Sequence, residues 1–292
     1  MKRFIYTFLL VAQVGIVVTG GAVRLTGSGL GCPTWPQCTP GSYTPVPHQA
    51  QGRLHSWIEF GNRLLTILLV IAILAVVIGF FRWGRNRLDS KVIAWLTAIQ
   101  LLGLVAQIVV GGVSVLTHLN PFAVGAHFLL SIFLIAASLW LRQRMLDVKR
   151  VTISPLSKKM GRLVLLLSFM VINLGIFVTG SGPHAGDVQA KRFHLDPRTI
   201  SWLHADSVIA LISISFGLWI LLKATEVGDT KDLAAHKIGL FLVICLAQGL
   251  IGYTQYFTGV PELLVGAHLL GSTLVWTSIS SFTYSTQLLK RS

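Results

Sequence analysis

Eight separate stretches, each long and apolar enough to cross a bilayer, constrain this chain more than any other feature. A spanning helix needs about 20 mainly apolar residues. Such stretches lie at 4–23, 57–81, 92–116, 122–141, 161–180, 200–222, 236–257 and 262–285. Only 12% of the residues are charged and 53% are hydrophobic, where a soluble domain carries about 25% charged residues. That excludes a soluble enzyme and a disordered chain. The first stretch reads as a retained span, because Arg24-Leu25-Thr26-Gly27-Ser28-Gly29 behind it is a poor small-residue cleavage site.

The basic residues sort by connection. One cluster is Arg82, Arg85, Arg87 and Lys91; a second runs from Arg142 through Arg144, Lys149, Arg150, Lys158 and Lys159 to Arg162. Lys223, Lys231 and Lys237 form a third, and Lys2, Arg3, Lys290 and Arg291 mark the termini. These connections alternate along the chain, so the positive-inside rule puts both termini and the basic loops in the cytoplasm. The net charge of +14 is then a topology signal, and no nucleic-acid partner is expected. The predicted location is the plasma membrane, multi-pass, with the lipid bilayer as the main surroundings.

The chain also repeats itself. Ala106-Gln107 recurs as Ala247-Gln248, Gly111 as Gly252, Thr117 as Thr258, and Val124-Gly125-Ala126-His127 as Val265-Gly266-Ala267-His268. All share one offset, 141 residues. Four spans per half is an even number, so the halves run parallel. The predicted fold is an all-α integral membrane protein of eight transmembrane helices, built as two parallel four-helix-bundle repeats. The repeats occupy 1–150 and 151–292, with the basic stretch around 142–162 as linker.

Histidine is scarce inside spans, and an ionisable residue there marks a functional site by default. His127, His204 and His268 each lie a few residues into a helix that enters from the outer face, so they share one depth. Neutral imidazoles from facing helices suit the two axial positions of a haem iron, and His204 with His268 forms that pair in the second half. The first half differs. The position corresponding to His204 falls at Asn62, and the only histidine on that helix is His55. Either His55 ligates two turns further out, or His127 has no histidine opposite it and the iron stays more open.

His55, Glu59 and Asn62 share one helical face, and Arg63 lies one turn beyond Glu59. Glu59 reads as a proton acceptor or charge stabiliser beside a substrate, or as half of a salt bridge with Arg63. Cys32 and Cys38 in the first outer loop suggest a disulfide or a redox pair on an oxidising side. Cys245 reads as a buried apolar residue. The outer loop 181–199 reads either as a solvated polar loop or as a cover over the second haem.

The stretch Gly20-Gly21-Ala22-Val23-Arg24-Leu25-Thr26-Gly27-Ser28-Gly29-Leu30-Gly31-Cys32, continuing to Trp35-Pro36-Gln37-Cys38, resembles the haem A synthase family. Ile58-Glu59-Phe60-Gly61-Asn62-Arg63 is similar to that family's Glu-x-x-His-Arg segment, and His127, His204 and His268 match its other histidines. The chain departs from the pattern at Asn62, where the family has histidine, and lacks the second cysteine pair of some members. The resemblance implies oxidation of a ring methyl of haem O to a formyl group. It implies a haem b on His204 and His268, with Glu59 catalytic. Haem O would sit in the first half near His127, Asn62, His55 and Arg63, the active side facing outward. Haem O synthase and cytochrome oxidase assembly proteins are the implied partners, and an oligomer is left open. Three rivals remain: a bis-histidine b-type cytochrome that only passes electrons, a haem carrier without chemistry, and a transporter of parallel repeats.

Overall fold

The structure is a computed structural model that describes residues 1–187 and 190–288. Eight long helices follow in order: α1 (Lys2–Leu25), α2 (Arg53–Gly79), α3 (Ser90–Leu116), α4 (Pro121–Met145), α5 (Pro155–Ser181), α6 (Pro197–Thr225), α7 (Gly228–Phe257) and α8 (Glu262–Ser285). A π-helical turn over Phe80–Gly84 continues α2. All eight are long and apolar enough to span a membrane. Several run well past the apolar stretch that marks them in the sequence. α7 starts at Gly228 rather than 236 because Asp229, Lys231 and Asp232 occupy its opening turns. Hydropathy registers only the part of a helix that lipid must cover.

The side chains sort in a way that water would not tolerate. Ile67, Leu74, Val105, Leu166 and Leu250 are exposed, Leu250 at 71%, whereas Gln13, Gln100, Ser168, Ser215 and Thr273 are buried. In water such a surface would be a very large apolar patch. In lipid it costs nothing, and the polar groups are satisfied inside the bundle. The Gln13 amide donates to Gln100 Oε1 at 2.9 Å and the Gln100 amide to the Leu134 carbonyl at 3.2 Å, which ties α1 to α3 and α3 to α4. The chain is a multi-pass membrane protein.

Two compact units form. The first comprises Met1–Arg142 with Ile176–Pro197, the second Gln143–Gly175 with Arg198–Ser292. In the first, α1 packs along α2; in the second, α7 packs along α8. Glycines let neighbours approach closely: Gly103 receives Leu134 in the first unit and Gly161 receives Phe282 in the second.

The second unit carries a small feature that its sequence does not announce. β1 (Val151–Ile153) pairs in parallel with β2 (Thr286–Leu288), Val151 opposite Thr286. Three residues show no readable period, so the stretch around 142–162 reads only as a basic linker. Ser154 then caps α5. Its hydroxyl accepts the Ser157 N–H at 3.2 Å, while Glu226 accepts the Ser154 N–H and the Ser157 hydroxyl, both at 2.9 Å. Pro155 takes the first helical position, where no N–H is needed.

Candidate functional site

In the first unit, the connection after α1 folds back onto the start of α2. Cys32 and Cys38 are fully buried and joined by a disulfide. Glu59 and Arg63, one turn apart on α2, grip this loop. Glu59 Oε2 accepts the Cys32 N–H at 2.6 Å, and Oε1 accepts Arg63 Nε at 3.1 Å and Nη2 at 2.6 Å. The same guanidinium donates to the carbonyls of Cys32 at 2.8 Å, Thr34 at 3.1 Å and Gln37 at 3.2 Å. Glu59 is only 6% exposed, and a buried carboxylate is tolerable when its lone pairs are met by a cation and an N–H. The Glu59–Arg63 pairing follows from their spacing. That the pair also clasps the disulfide loop does not.

The loop reaches further. The Trp35 indole lies against Gly112 of α3, and Gly31 passes so close to the His55 carbonyl that no side chain fits there. Loss of the disulfide is therefore a local event. Cys32→Ser with Cys38→Ser should cost about 2 kcal/mol for so short a closed loop. Limited proteolysis should cut the loop faster while the helices keep their circular dichroism.

The other expected residues of this unit fall at separate contacts. His55 Nδ1 and the Ser28 hydroxyl are 2.9 Å apart, and Ser28 in turn bonds Thr26. His55 is thus engaged by the turn after α1. The Thr19 hydroxyl donates to Asn62 Oδ1 at 2.8 Å, and Gly20 has the Asn62 amide as its nearest neighbour. The His127 ring rests on Gly111 of α3, and its carbonyl accepts from Gln107 at 3.3 Å and from Ser131 at 3.0 Å. Its Nδ1 is buried without a partner. Among the described residues no ring contact pairs His127 with His55 or any other histidine.

The second unit does hold such a pair. The His204 and His268 rings lie with centroids 6.4 Å apart and planes at 76°. One metal bound by two imidazoles needs two bonds of about 2 Å, plus about 1 Å from each nitrogen to its ring centre, or about 6 Å in all. His204 Nδ1–H donates to the Val171 carbonyl at 3.1 Å, which leaves Nε2 as the ligating nitrogen and fixes the ring. Each ring is seated on a glycine: His204 on Gly175, His268 on Gly252.

Among the described residues no cluster of three or more His, Cys, Asp or Glu gathers to cage a bare ion. Zinc would need three or four protein ligands. Two opposed imidazoles suit a metal that brings its own equatorial ligands, as a haem does. Gly111 and Gly252 stand at the repeat offset, as do His127 and His268, so one seat is built twice. The repeat was the signal for these glycines, and chemistry-bearing residue types alone pass over them.

The loop after α5 lies on the first unit over its described part. Arg24 donates through Nε to the His184 carbonyl and through Nη2 to the Thr179 carbonyl at 2.8 Å, and the Gly29 N–H donates to the Gly186 carbonyl at 2.9 Å. The Phe193 ring covers Gly180 and stacks edge-on with Phe122. Arg24 lies within a motif quoted for the resemblance but has no evident partner in sequence, since its acceptors are backbone carbonyls more than 150 residues away.

A family model described as Cytochrome oxidase assembly protein matches residues 3–280. A protein named "Heme A synthase" in Geobacillus thermodenitrificans is 32% identical over 127 residues, which is 44% of this chain and 37% of that protein. Its namesake in Lysinibacillus sphaericus (strain C3-41) is 32% identical over 153 residues, 51% of this chain and 47% of the relative. Another in Listeria welshimeri is 30% identical over 154 residues, 51% and 48% respectively. The aligned stretch spans about half, or less, of the length of these relatives.

Proposed function

Because the chain belongs to the cytochrome oxidase assembly protein family, we propose that it is a haem A synthase, oxidising a ring methyl of haem O to a formyl group for terminal oxidase assembly. The observation that carries this is the unequal pair of imidazole seats. His268 on Gly252 has His204 opposite it, while His127 on Gly111 has no histidine partner among the described residues. Two filled axial positions suit electron transfer, and one suits a porphyrin that is held in order to be changed.

In this reading His204 and His268 would hold haem b in the half 151–292, and His127 would hold haem O in the half 1–150. When bound, haem b supplies a one-electron carrier. The chain's own residues do the rest. His204 is oriented by the Val171 carbonyl. Asn62, held by Thr19, lines the substrate half with His55 and Arg63 nearby. Glu59 sits under the Cys32–Cys38 loop, where its carboxylate balances positive charge or takes a proton as the methyl is oxidised. The loop covers this site at the outer face of the plasma membrane, excluding water from it. Haem O synthase and oxidase assembly proteins are the partners that the family resemblance implies.

The test is haem analysis of the chain purified from cells that also express a haem O synthase. Acid–acetone extraction and chromatography should yield haem A or a hydroxylated haem O. Haem b alone, despite ample haem O, would sink the reading and leave a b-type electron carrier. Unmodified haem O bound in full occupancy would leave a carrier without chemistry.

A further inference from the structure

Two arginines at the Cys32 end of the first unit are left without a counter-charge. Arg24 closes the last turn of α1 and donates to the His184 carbonyl; Arg192 donates through Nη2 to the neighbouring Pro183 carbonyl at 2.9 Å. The two guanidiniums thus bond the carbonyls of consecutive residues, Pro183 and His184, and their like charges act on each other. Neither has a carboxylate partner among the described residues. Arg192 Nη1 is buried with no acceptor at all. Such an arrangement is costly unless an anion joins it, and a guanidinium fork matches a carboxylate.

Its position says which anion. Gly20, one turn before Arg24 on the same face of α1, has Asn62 as its nearest neighbour. Arg24 thus stands about 6 Å further along the helix than the side chain that lines the substrate half. Phe193, next to Arg192, packs on Phe122 at the start of α4, the helix that carries His127. Arg192 is thus tied through its neighbour Phe193 to the helix that carries His127, as Arg24 is tied through α1 to the residue that neighbours Asn62.

We propose that Arg24 and Arg192 form an oxyanion site that binds a carboxylate of the porphyrin substrate. This rests on the haem O reading given above. It adds an orientation: the ring enters with its carboxylates toward the loop end and its opposite edge deeper in the first unit. Because Arg192 comes from the connection after α5, that connection acts as a substrate clasp rather than a plain link between helices.

The experiment titrates the full detergent-solubilised chain with metal-free mesoporphyrin, followed by its fluorescence, against the same porphyrin as its dimethyl ester. The wild-type chain should bind the diacid at least tenfold more tightly than the ester. Arg192→Gln should lose that preference, and Arg192→Lys should keep part of it. The haem spectrum of the purified chain should stay unchanged in both variants, showing an intact second unit. Repeating the titration on a His268→Ala chain should preserve the preference, placing it outside the second unit.

Equal binding of diacid and ester by the wild type, or an unchanged preference in Arg192→Gln, overturns the arginine site alone. A wild-type chain that binds neither porphyrin overturns the haem O reading with it. Loss of bound phosphatidylglycerol in Arg192→Gln, with porphyrin binding intact, makes the anion a lipid phosphate and also overturns the proposal.

Discussion

On the haem A synthase reading proposed above, Glu59→Gln should lower haem A formation by about 10²-fold or more, the usual contribution of a positioned acid or base, and leave haem binding at His204 and His268 unchanged. The substitution is nearly isosteric. Its amide oxygen can still accept the Cys32 N–H, but the counter-charge of Arg63 is gone. Arg63 then holds the carbonyls of Cys32, Thr34 and Gln37 with its charge uncompensated in a half-buried place. We expect a cost of about 1–3 kcal/mol, felt as a looser loop and not as lost helices.

Arg63→Lys separates the two roles of the carboxylate. A lysine keeps the charge next to Glu59 but cannot reproduce a fork that bonds three carbonyls. If Glu59 serves the chemistry, Arg63→Lys should loosen the loop, seen as faster proteolysis, while retaining far more haem A formation than Glu59→Gln. Equal loss of product in both variants would reduce Glu59 to a loop anchor.

If His204 and His268 hold a haem as proposed, His268→Ala should abolish its low-spin signal, read as loss of the sharp α band in the reduced-minus-oxidised spectrum. Removing one of two axial ligands leaves His204 alone against a site with no third ligand among the described residues. Gly252→Val is the more informative variant. A Cβ at residue 252 would already touch His268 Cε1 at 3.4 Å, so the two further methyls of valine would press on the ring. The ring is then expected to shift on its seat while every ligand remains in the sequence. Haem occupancy should fall several-fold, and adding haem should not restore the native spectrum. An undisturbed spectrum in Gly252→Val would show that the glycine is incidental to ligation. Gly111→Val should leave that spectrum alone and impair the first unit only.

The helices were legible for one physical reason: lipid imposes a length and an apolar surface on every span, and both are one-dimensional properties. The histidine positions were legible because charge-bearing groups are rare in such segments. That Cys32 and Cys38 act together was legible from their spacing, while the choice between a disulfide and a redox pair was left open. Other features depended on contacts far apart in the chain. Arg63 clasping a loop about 30 residues earlier, Arg24 bonding carbonyls of Thr179 and His184, and Val151 pairing with Thr286 leave no periodic trace. Nor does the engagement of His55 by Ser28, since a histidine near a helix start looks the same whether it faces a metal or a hydroxyl.

The sequence by itself determined the eight apolar helices, the identities at a 141-residue offset, the asparagine at position 62 and the residue types available for chemistry. Those follow from hydropathy, offset and identity. Only the tertiary structure decided which groups meet. It set two imidazoles 6.4 Å apart and seated them on glycines. It also put a buried carboxylate under a disulfide loop and two guanidiniums on one pair of carbonyls. Distance and burial are properties of the packed bundle, and they convert a list of polar residues into sites where each charge either has its partner or awaits one.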